Sequence, residues 1–420
     1  MYWLRQTLVI ISLNIRTIPQ RLSSSAVAIV GIAGVVVVFV SVLSIASGFS
    51  MAMQGSGSRG RALVMRSGAD SELTSGLSGT EVDIVRQAPG LSRVGPLAQA
   101  SAELYVIIDL AKKSAPTSSA NVPMRGIEPT GMTVRPEVSI VEGRMFRFGT
   151  NEVIAGRGAH GQFVNLNVGD TIQSGQNRWE VVGLFTANGG VSETEIWCDA
   201  RTLQGAYRRG NSYQSLLASL ESPESFDTFR DWLTSNPQLN VSIRRENEYY
   251  AGQSQTLTRL IQTVGFAIAA LMGIGAIFGA ILTMYTAVAT RSREIATLRA
   301  LGFDASSVVV SVLAESMVLG AIGGTIGGAA AYAGFNGYQA STINFQTFSQ
   351  VAFAFRVTPD LLVLGLSYAL VMGLIGGLLP ALRAASLPIP SALRELYRGQ
   401  VGRAGKGWKG WRAWPGGRAR

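Results

Sequence analysis

The chain has 420 residues, 47% of them hydrophobic, only 15% charged and 49 of them glycine, and 36 Lys+Arg against 26 Asp+Glu give a formal net charge of +10. So low a charged fraction excludes an ordinary soluble enzyme, where it is roughly 25%, and the hydrophobicity excludes a disordered chain. The basic balance would point to nucleic acid only if it lay on one surface.

Residues 1–25 place Leu4, Leu8, Ile11, Ile15, Ile18 and Leu22 on one helical stripe, with Arg5, Ser12 and Arg16 off it and Trp3 at its edge. This predicts an amphipathic helix on the cytoplasmic side of a membrane. No charge lies between Arg21 and Arg59, and 26–48 within that gap is apolar and long enough for a first transmembrane helix. Its charged leader and apolar core are both too long for a cleaved signal peptide, so a retained anchor is expected.

The segment 49–258 reads as an extracytoplasmic α+β domain. A short helix is predicted over Thr80–Gln87, before Pro89-Gly90, and another over Pro223–Ser235. Strands are predicted over Ala102–Leu110, over Trp179–Phe185 after a turn at Gly175-Gln176-Asn177, and over Val241–Arg244. Three further charge-free gaps (Arg259–Arg291, Glu315–Arg356, Asp360–Arg383) predict transmembrane helices over 260–290, 307–334 and 361–382. Between them lie a cytoplasmic coupling helix or loop, 291–305, and a short extracytoplasmic loop, 335–360. A basic tail, 383–420, follows. The predicted fold class is an α-helical membrane protein with four transmembrane helices and a large extracytoplasmic α+β domain inserted between helices one and two.

Charge then sorts by segment. Residues 1–25, 290–305 and 383–420 hold 15 basic and 3 acidic residues, whereas 49–258 holds 19 basic and 21 acidic. The Lys/Arg bias predicts a multi-pass inner (cytoplasmic) membrane protein with both termini in the cytoplasm. The excess charge is therefore topological, no nucleic-acid partner is expected, and anionic lipid or a cytoplasmic partner accounts for the basic tail.

Catalytic chemistry has little to stand on. Cys198 is the only cysteine and His160 the only histidine, which leaves no intrachain disulfide and argues against a histidine-based metal site or a Ser-His-Asp triad. No G-x-x-x-x-G-K-[ST] occurs. No catalytic, metal or cofactor residue is assigned, and the chain is read as non-enzymatic.

Two other patterns carry information. From Arg291 to Gly302, Arg293, Glu294 and Arg299 alternate with Ile295, Leu298 and Leu301, and Gly302 is placed to end the helix. Such a stripe between two spans suits a socket on a cytoplasmic partner. In the third span Gly320, Gly323, Gly324, Gly327 and Gly328 recur at fourfold spacing, as do Gly373/Gly377 in the fourth and Gly275/Gly279 in the second. Small residues so spaced let helix backbones approach closely, within the chain or between two copies. Glu315 is the only acid within a span; about two turns from the cytoplasmic end, it is read as a packing residue satisfied by snorkelling or a helix partner rather than as a proton relay.

These residues resemble the FtsX/MacB-like permeases of ABC systems, the type VII or mechanotransmission transporters, over essentially the whole chain. Arg291–Gly302 with Glu315–Gly324 is similar to the family's R-x-R-E-I-x-x-L-R-A-x-G block, and Pro380–Ala385 with Pro388, Ala392, Leu393 and Arg394 to its exit from the fourth span. Asn151–Gly156, Asn167–Ile172 and Val181–Phe185 resemble MacB-type periplasmic core domains. The resemblance implies a homodimer, or a heterodimer with a related permease, served by separate ABC ATPase subunits that bind the ATP. It implies that the helix around Arg293–Leu301 is the main ATPase contact, with the N-terminal helix contributing. MacB carries a fused ATPase; a chain without a P-loop is expected to rely on another polypeptide. Efflux with a periplasmic adaptor and an outer-membrane channel is the leading expectation. Lipoprotein release of the LolC/LolE kind and an FtsX-like relay to a cell-wall hydrolase are the alternatives.

Overall fold

A computed structural model describes residues 2–17, 22–344, 346–347 and 349–386. The chain opens with α1 (Tyr2–Thr17) and the long apolar α2 (Leu22–Gln54). There follow β1 (Arg61–Arg66), β2 (Leu77–Ser78), α3 (Gly79–Val85), β3 (Arg93–Val94), β4 (Leu97–Ala98), β5 (Ala100–Lys112) and β6 (Ala115–Ile127). Next come α4 (Gly131–Val134), β7 (Ser139–Gly143), β8 (Glu152–Gly156), α5 (Arg157–Gln162), β9 (Thr171–Ser174), β10 (Asn177–Thr186), β11 (Ile196–Asp199) and α6 (Ala200–Ala206). Strands β12 (Ser212–Tyr213) and β13 (Ser215–Ser219), helix α7 (Phe226–Ser235) and β14 (Val241–Arg245) complete this stretch. The chain then passes through α8 (Glu246–Thr290), α9 (Ser292–Ala300) and α10 (Ala305–Phe335), the hairpin β15 (Gln339–Ile343) and β16 (Gln350–Ala354), and α11 (Pro359–Ala385).

Local chemistry sets several boundaries. Ser78 and Glu81 form a reciprocal capping box at the start of α3. Helix α11 starts with Pro359 at its first turn and Thr358 as cap, the hydroxyl accepting from the Leu361 N–H. Gly175, at φ +59°, turns β9 into β10. Helices α2, α8, α10 and α11 are long and apolar enough to cross a membrane.

The chain divides into two compact units. A helical unit takes residues up to Val42, Val264–Gly334 and those from Val357, and an α+β unit takes Leu43–Thr263 and Phe335–Arg356. The α+β unit is built on one ten-stranded sheet, in the order β14-β1-β13-β5-β6-β11-β8-β10-β7 with β9 added beside β10. Strand β5 is long enough to serve both ends. Its first residues pair with β13 and its remainder with β6. One apolar core, around Val64, Leu77, Leu216 and Phe229, lies on the β1–β13 side. A second, around Leu104, Val153, Trp179 and Ile196, lies among β5, β6, β8, β10 and β11.

The segment 335–360 is more than the short loop expected. It holds the β15–β16 hairpin, whose Val351 and Phe353 join Phe49, Met53, Met65 and Tyr249 in a third core. Phe49 meets Phe353 edge-on, with ring centroids 5.6 Å apart. The hairpin lies against α2 at Gly48, where a Cβ would overlap the Ala354 carbonyl oxygen. Gly48→Val should therefore lift the hairpin and cost about 1–3 kcal/mol. Faster amide exchange confined to β15 and β16 is the expected signature; unchanged protection there would refute the contact.

In the helical unit the glycines of α10 face two different helices. Gly320 and Gly324 lie against Ala369 of α11, while Gly323 and Gly327 lie against Ile29, Ile32, Ala33 and Val36 of α2. From the α11 side, Gly373 and Gly377 meet Ser316, whose hydroxyl donates to the Gly373 carbonyl. Backbones this close replace side-chain interlocking by direct van der Waals contact. Among the described residues, Gly328 has only Leu362 nearby, and a Cβ at Gly275 or Gly279 of α8 would meet nothing within 4 Å beyond the adjoining backbone of its own helix.

Candidate functional site

The residues of the charged segment Arg291–Gly302 and Glu315 meet at the end of the helical unit where α8 turns into α9. Arg291 is the corner residue, at φ −104° and ψ 4°, and breaks the helix between Thr290 and Ser292. Its own side chain is turned inward and only 5% exposed. Arg291 Nη1 donates to Glu315 Oε2 of α10 at 2.9 Å, and Nε lies 3.6 Å from Glu294 Oε2. The acid in the third span is thus matched by an arginine 24 residues before it. A buried charge is tolerated when paired in this way.

Helix α9 presents two faces. Ile295 and Ala296 are buried, and Ile295 joins Met284, Val288, Val308 and Val312 in an apolar cluster. Leu298 is half-buried, and so is Arg299, whose Nη1 donates to the Ala385 carbonyl at the end of α11, 2.6 Å away. Arg293, Glu294, Thr297 and Leu301 are exposed, Leu301 by 73%. Gly302, at φ +95°, ends the helix in a conformation glycine adopts without strain. Of the eight residues picked from the sequence, Arg293, Glu294, Leu301 and Gly302 line the open side; Arg291 and Ile295 are internal, and Leu298 and Arg299 lie between. Thr297, on the open face, was not singled out, because a lone threonine in a charged helix carries no distinguishing signal.

Helix α1 packs through Thr7, Ile10 and Asn14. Thr7 Oγ1 donates to Ser307 Oγ at 3.1 Å, Asn14 Nδ2 donates to Ser311 Oγ, and Ile10 is buried. Leu8, from the predicted apolar stripe, is 62% exposed, and Ile11 is half-buried. Leu8 is therefore turned away from the protein, as suits a lipid-facing position. The side chains of Leu4, Ile15, Ile18 and Leu22 lie outside the described residues, as does the basic tail beyond Ser386.

A second charged cluster, unforeseen, is buried in the α+β unit. Arg125 on β6 is 2% exposed. Its Nε and Nη2 donate to Glu195, its Nη1 and Nη2 to Glu72, and its Nη1 to Glu103, at 2.7–3.1 Å. Arg135 donates to both oxygens of Glu103, at 2.5 and 2.8 Å. Ser215 donates to Glu72, and the Trp197 indole N–H donates to Glu195. Burial by itself would raise the Glu103 carboxyl, but Arg135 and Arg125 outweigh it and hold the carboxyl below its ordinary range. The one available signal was charge inside otherwise apolar strands: Glu103 before Leu104-Tyr105-Val106, and Arg125 after Val122-Pro123-Met124. Cys198 is fully buried beside this cluster's strand, and desolvation pushes its thiol well above the ordinary range, which leaves it unreactive. His160 Nε2 pairs with Asn167 Oδ1 at 3.1 Å.

Residues 25–236 match the family model of the MacB-like periplasmic core domain, and residues 266–389 that of the FtsX-like permease C-terminal region. The chain is 29% identical over 166 residues to YvrN, an uncharacterized ABC transporter permease of Bacillus subtilis (strain 168). That match covers 38% of this chain and 38% of the relative's length. Among solved structures, the extracellular domain of the noncanonic ABC-type transporter YknZ from Gram-positive bacteria is similar at 13% identity and a TM-score of 0.33, covering 44% of this chain and all of that one. The periplasmic region of MacB from Actinobacillus actinomycetemcomitans is similar at 12% identity and a TM-score of 0.36, covering 48% and 96%.

Proposed function

Because the chain belongs to the family of FtsX-like permeases with a MacB-like periplasmic core domain, we propose that it is the membrane-spanning permease subunit of an ABC transporter. It sits in the inner (cytoplasmic) membrane with both termini in the cytoplasm, and its α+β unit lies on the opposite side. Separate ABC ATPase subunits bind and hydrolyse ATP, and the helices pass their movement to the α+β unit. The process served is efflux, with a periplasmic adaptor and an outer-membrane channel beyond.

The observation that carries this reading is the open face of α9. Arg293, Thr297 and Leu301 follow one another at helical spacing on the exposed side of a short helix whose other side is anchored in the apolar cluster. An exposed leucine in line with a cation on one helix face is the composition of a protein interface rather than of a solvated turn. The double variant Arg293→Glu/Leu301→Glu should reduce recovery of the co-purifying ATPase by about a hundredfold, a loss within the range of two interface anchors, and leave membrane insertion intact. Full recovery would refute the docking face. What else is recovered identifies the process: a hairpin-type adaptor fits efflux, a paralogous permease lipoprotein release, and a cell-wall hydrolase signal relay.

A second protomer completes the subunit as a homodimer through α8. Only 22% of the most apolar stretch of that helix is buried among the described residues, against 50% for α2. Among the described residues the Gly275/Gly279 pair meets no other helix, and small residues at that spacing drive helix pairing in lipid. Gly275→Leu/Gly279→Leu should convert the dimer to a monomer without unfolding it, as read by mass photometry in nanodiscs. A dimer that persists would exclude this seam.

A further inference from the structure

Helix α9 is tied to the rest of the helical unit at both ends, and by different partners. At its start, the corner residue Arg291 reaches Glu315 of α10 in a pair of which each member is 5% exposed. Toward its end, Arg299 reaches the last helical carbonyl of α11, that of Ala385. The third tie is covalent, because α8 leads directly into α9 through Arg291. A cavity of about 30 Å³ lies beside the ion pair, walled by Arg291, Glu315, Asn14 and Ser311. That is room for a water or two to complete the hydrogen bonding of the charged groups. Helix α1 closes over the same place through Thr7–Ser307 and Asn14–Ser311.

We infer that Arg291 and Arg299 are positioning residues that make α9 a three-way junction. Force applied to its open face is shared among α8, α10 and α11 and is not absorbed by bending at the corner. The inference rests on the reading of that open face as the ATPase contact, but assigns these two arginines the opposite role. They transmit and do not dock. A bridge-region corner residue in a helix-helix connection is a natural hinge, and here the hinge residue's own side chain is locked by a charge in a low-dielectric setting. There a Coulombic tie resists separation far more than at the surface. Arg299 adds the second lever. Its charge-assisted bond to a carbonyl at a helix C-terminus, where carbonyls lack intrahelical partners, fastens α9 to a span distant in sequence.

The test uses the full chain in nanodiscs with nitroxide labels on Thr297 of α9 and Thr325 of α10, both exposed. The wild type should give one narrow distance distribution. Arg291→Gln should broaden it, and the charge swap Arg291→Glu/Glu315→Arg should narrow it again, a rescue that a merely space-filling role would not show. With the co-purifying ATPase and ATP–vanadate, Arg291→Gln should retain ATPase binding but lose about tenfold or more of the label's nucleotide response, the size of a typical coupling between sites. A distribution equally narrow in Arg291→Gln overturns the inference, and so does a swap as broad as the single variant. Loss of the ATPase from Arg291→Gln, with Thr297–Thr325 still narrow, overturns it too, because Arg291 would then be a docking residue. If no ATPase is recovered even with the wild type, the ATPase reading fails, while the labels on the chain alone still decide whether Arg291 holds the corner.

Discussion

Replacing Arg125 with methionine should destabilise the α+β unit by about 3–5 kcal/mol, the usual cost of removing one member of a buried ionic cluster. Arg125 serves three carboxylates at once, Glu72, Glu103 and Glu195, each 4% exposed or less in its side chain. Methionine fills the volume but leaves those acids facing one another in a medium that cannot solvate them. Hydrogen exchange on the full chain should show β5, β6 and β11 losing protection together, because the three acids and the arginine sit on or beside those strands. The acid limb gives a second readout. The folded Glu103 carboxyl is held below its ordinary value of 4.5, so its contribution is present above that pH and lost as pH falls through the lower, folded value. Arg125→Met removes one of the two guanidinium groups that depress it, and the pH at which stability collapses should rise. An Arg125→Met protein with wild-type exchange and the same acid limb would mean that the cluster is energetically idle.

Substituting Gly320 and Gly324 together with leucine should break the contact between α10 and α11, at a cost of about 3 kcal/mol or more, since each insertion alone overpacks by about 1–3 kcal/mol. A Cβ at Gly320 would lie 2.8 Å from the Ala369 carbonyl oxygen, and one at Gly324 2.7 Å from the Ala369 Cβ. Both neighbours belong to the backbone or to its first carbon, so neither can swing aside. The Ser316–Gly373 hydrogen bond, 2.5 Å long and buried, would go with them. A Cβ at Gly334 of the same helix would meet nothing within 4 Å among the described residues beyond its own helix backbone, and Gly334→Leu should stay within about 0.5 kcal/mol of wild type. Titration with SDS in mixed micelles separates the cases; equal midpoints for the two variants would rule out close backbone packing.

The helices and the active face of α9 differ in how far the residues alone reveal them. Charge-free stretches some 20 residues long have few folded outcomes, so the four long helices were legible. The family was legible too, because Arg291–Gly302 and the exit from the fourth span are local patterns. Within α9, spacing separated apolar from charged residues but treated Arg291, Arg293 and Arg299 alike. Only the fold distinguishes them. The chain returns Glu315 and Ala385 to α9 from 24 and 86 positions away in sequence, and these partners draw two of the arginines inward. The α1 stripe was likewise visible as a pattern, whereas the packing of Thr7 and Asn14 depended on Ser307 and Ser311, about 300 positions away in sequence. The Arg125 cluster shows the same limit in the α+β unit, because its acids come from segments far apart in the chain.

The net positive charge of the chain can be divided on the same lines. Composition and the placement of lysine and arginine are one-dimensional properties, and they determined the membrane-type composition, the four apolar helices and the family to which the chain belongs. Tertiary structure decided which charges work as pairs and which remain on the surface. An arginine's role depends on what lies within about 3 Å of its guanidinium, the reach of a hydrogen bond, and that distance is set by packing between segments remote in sequence.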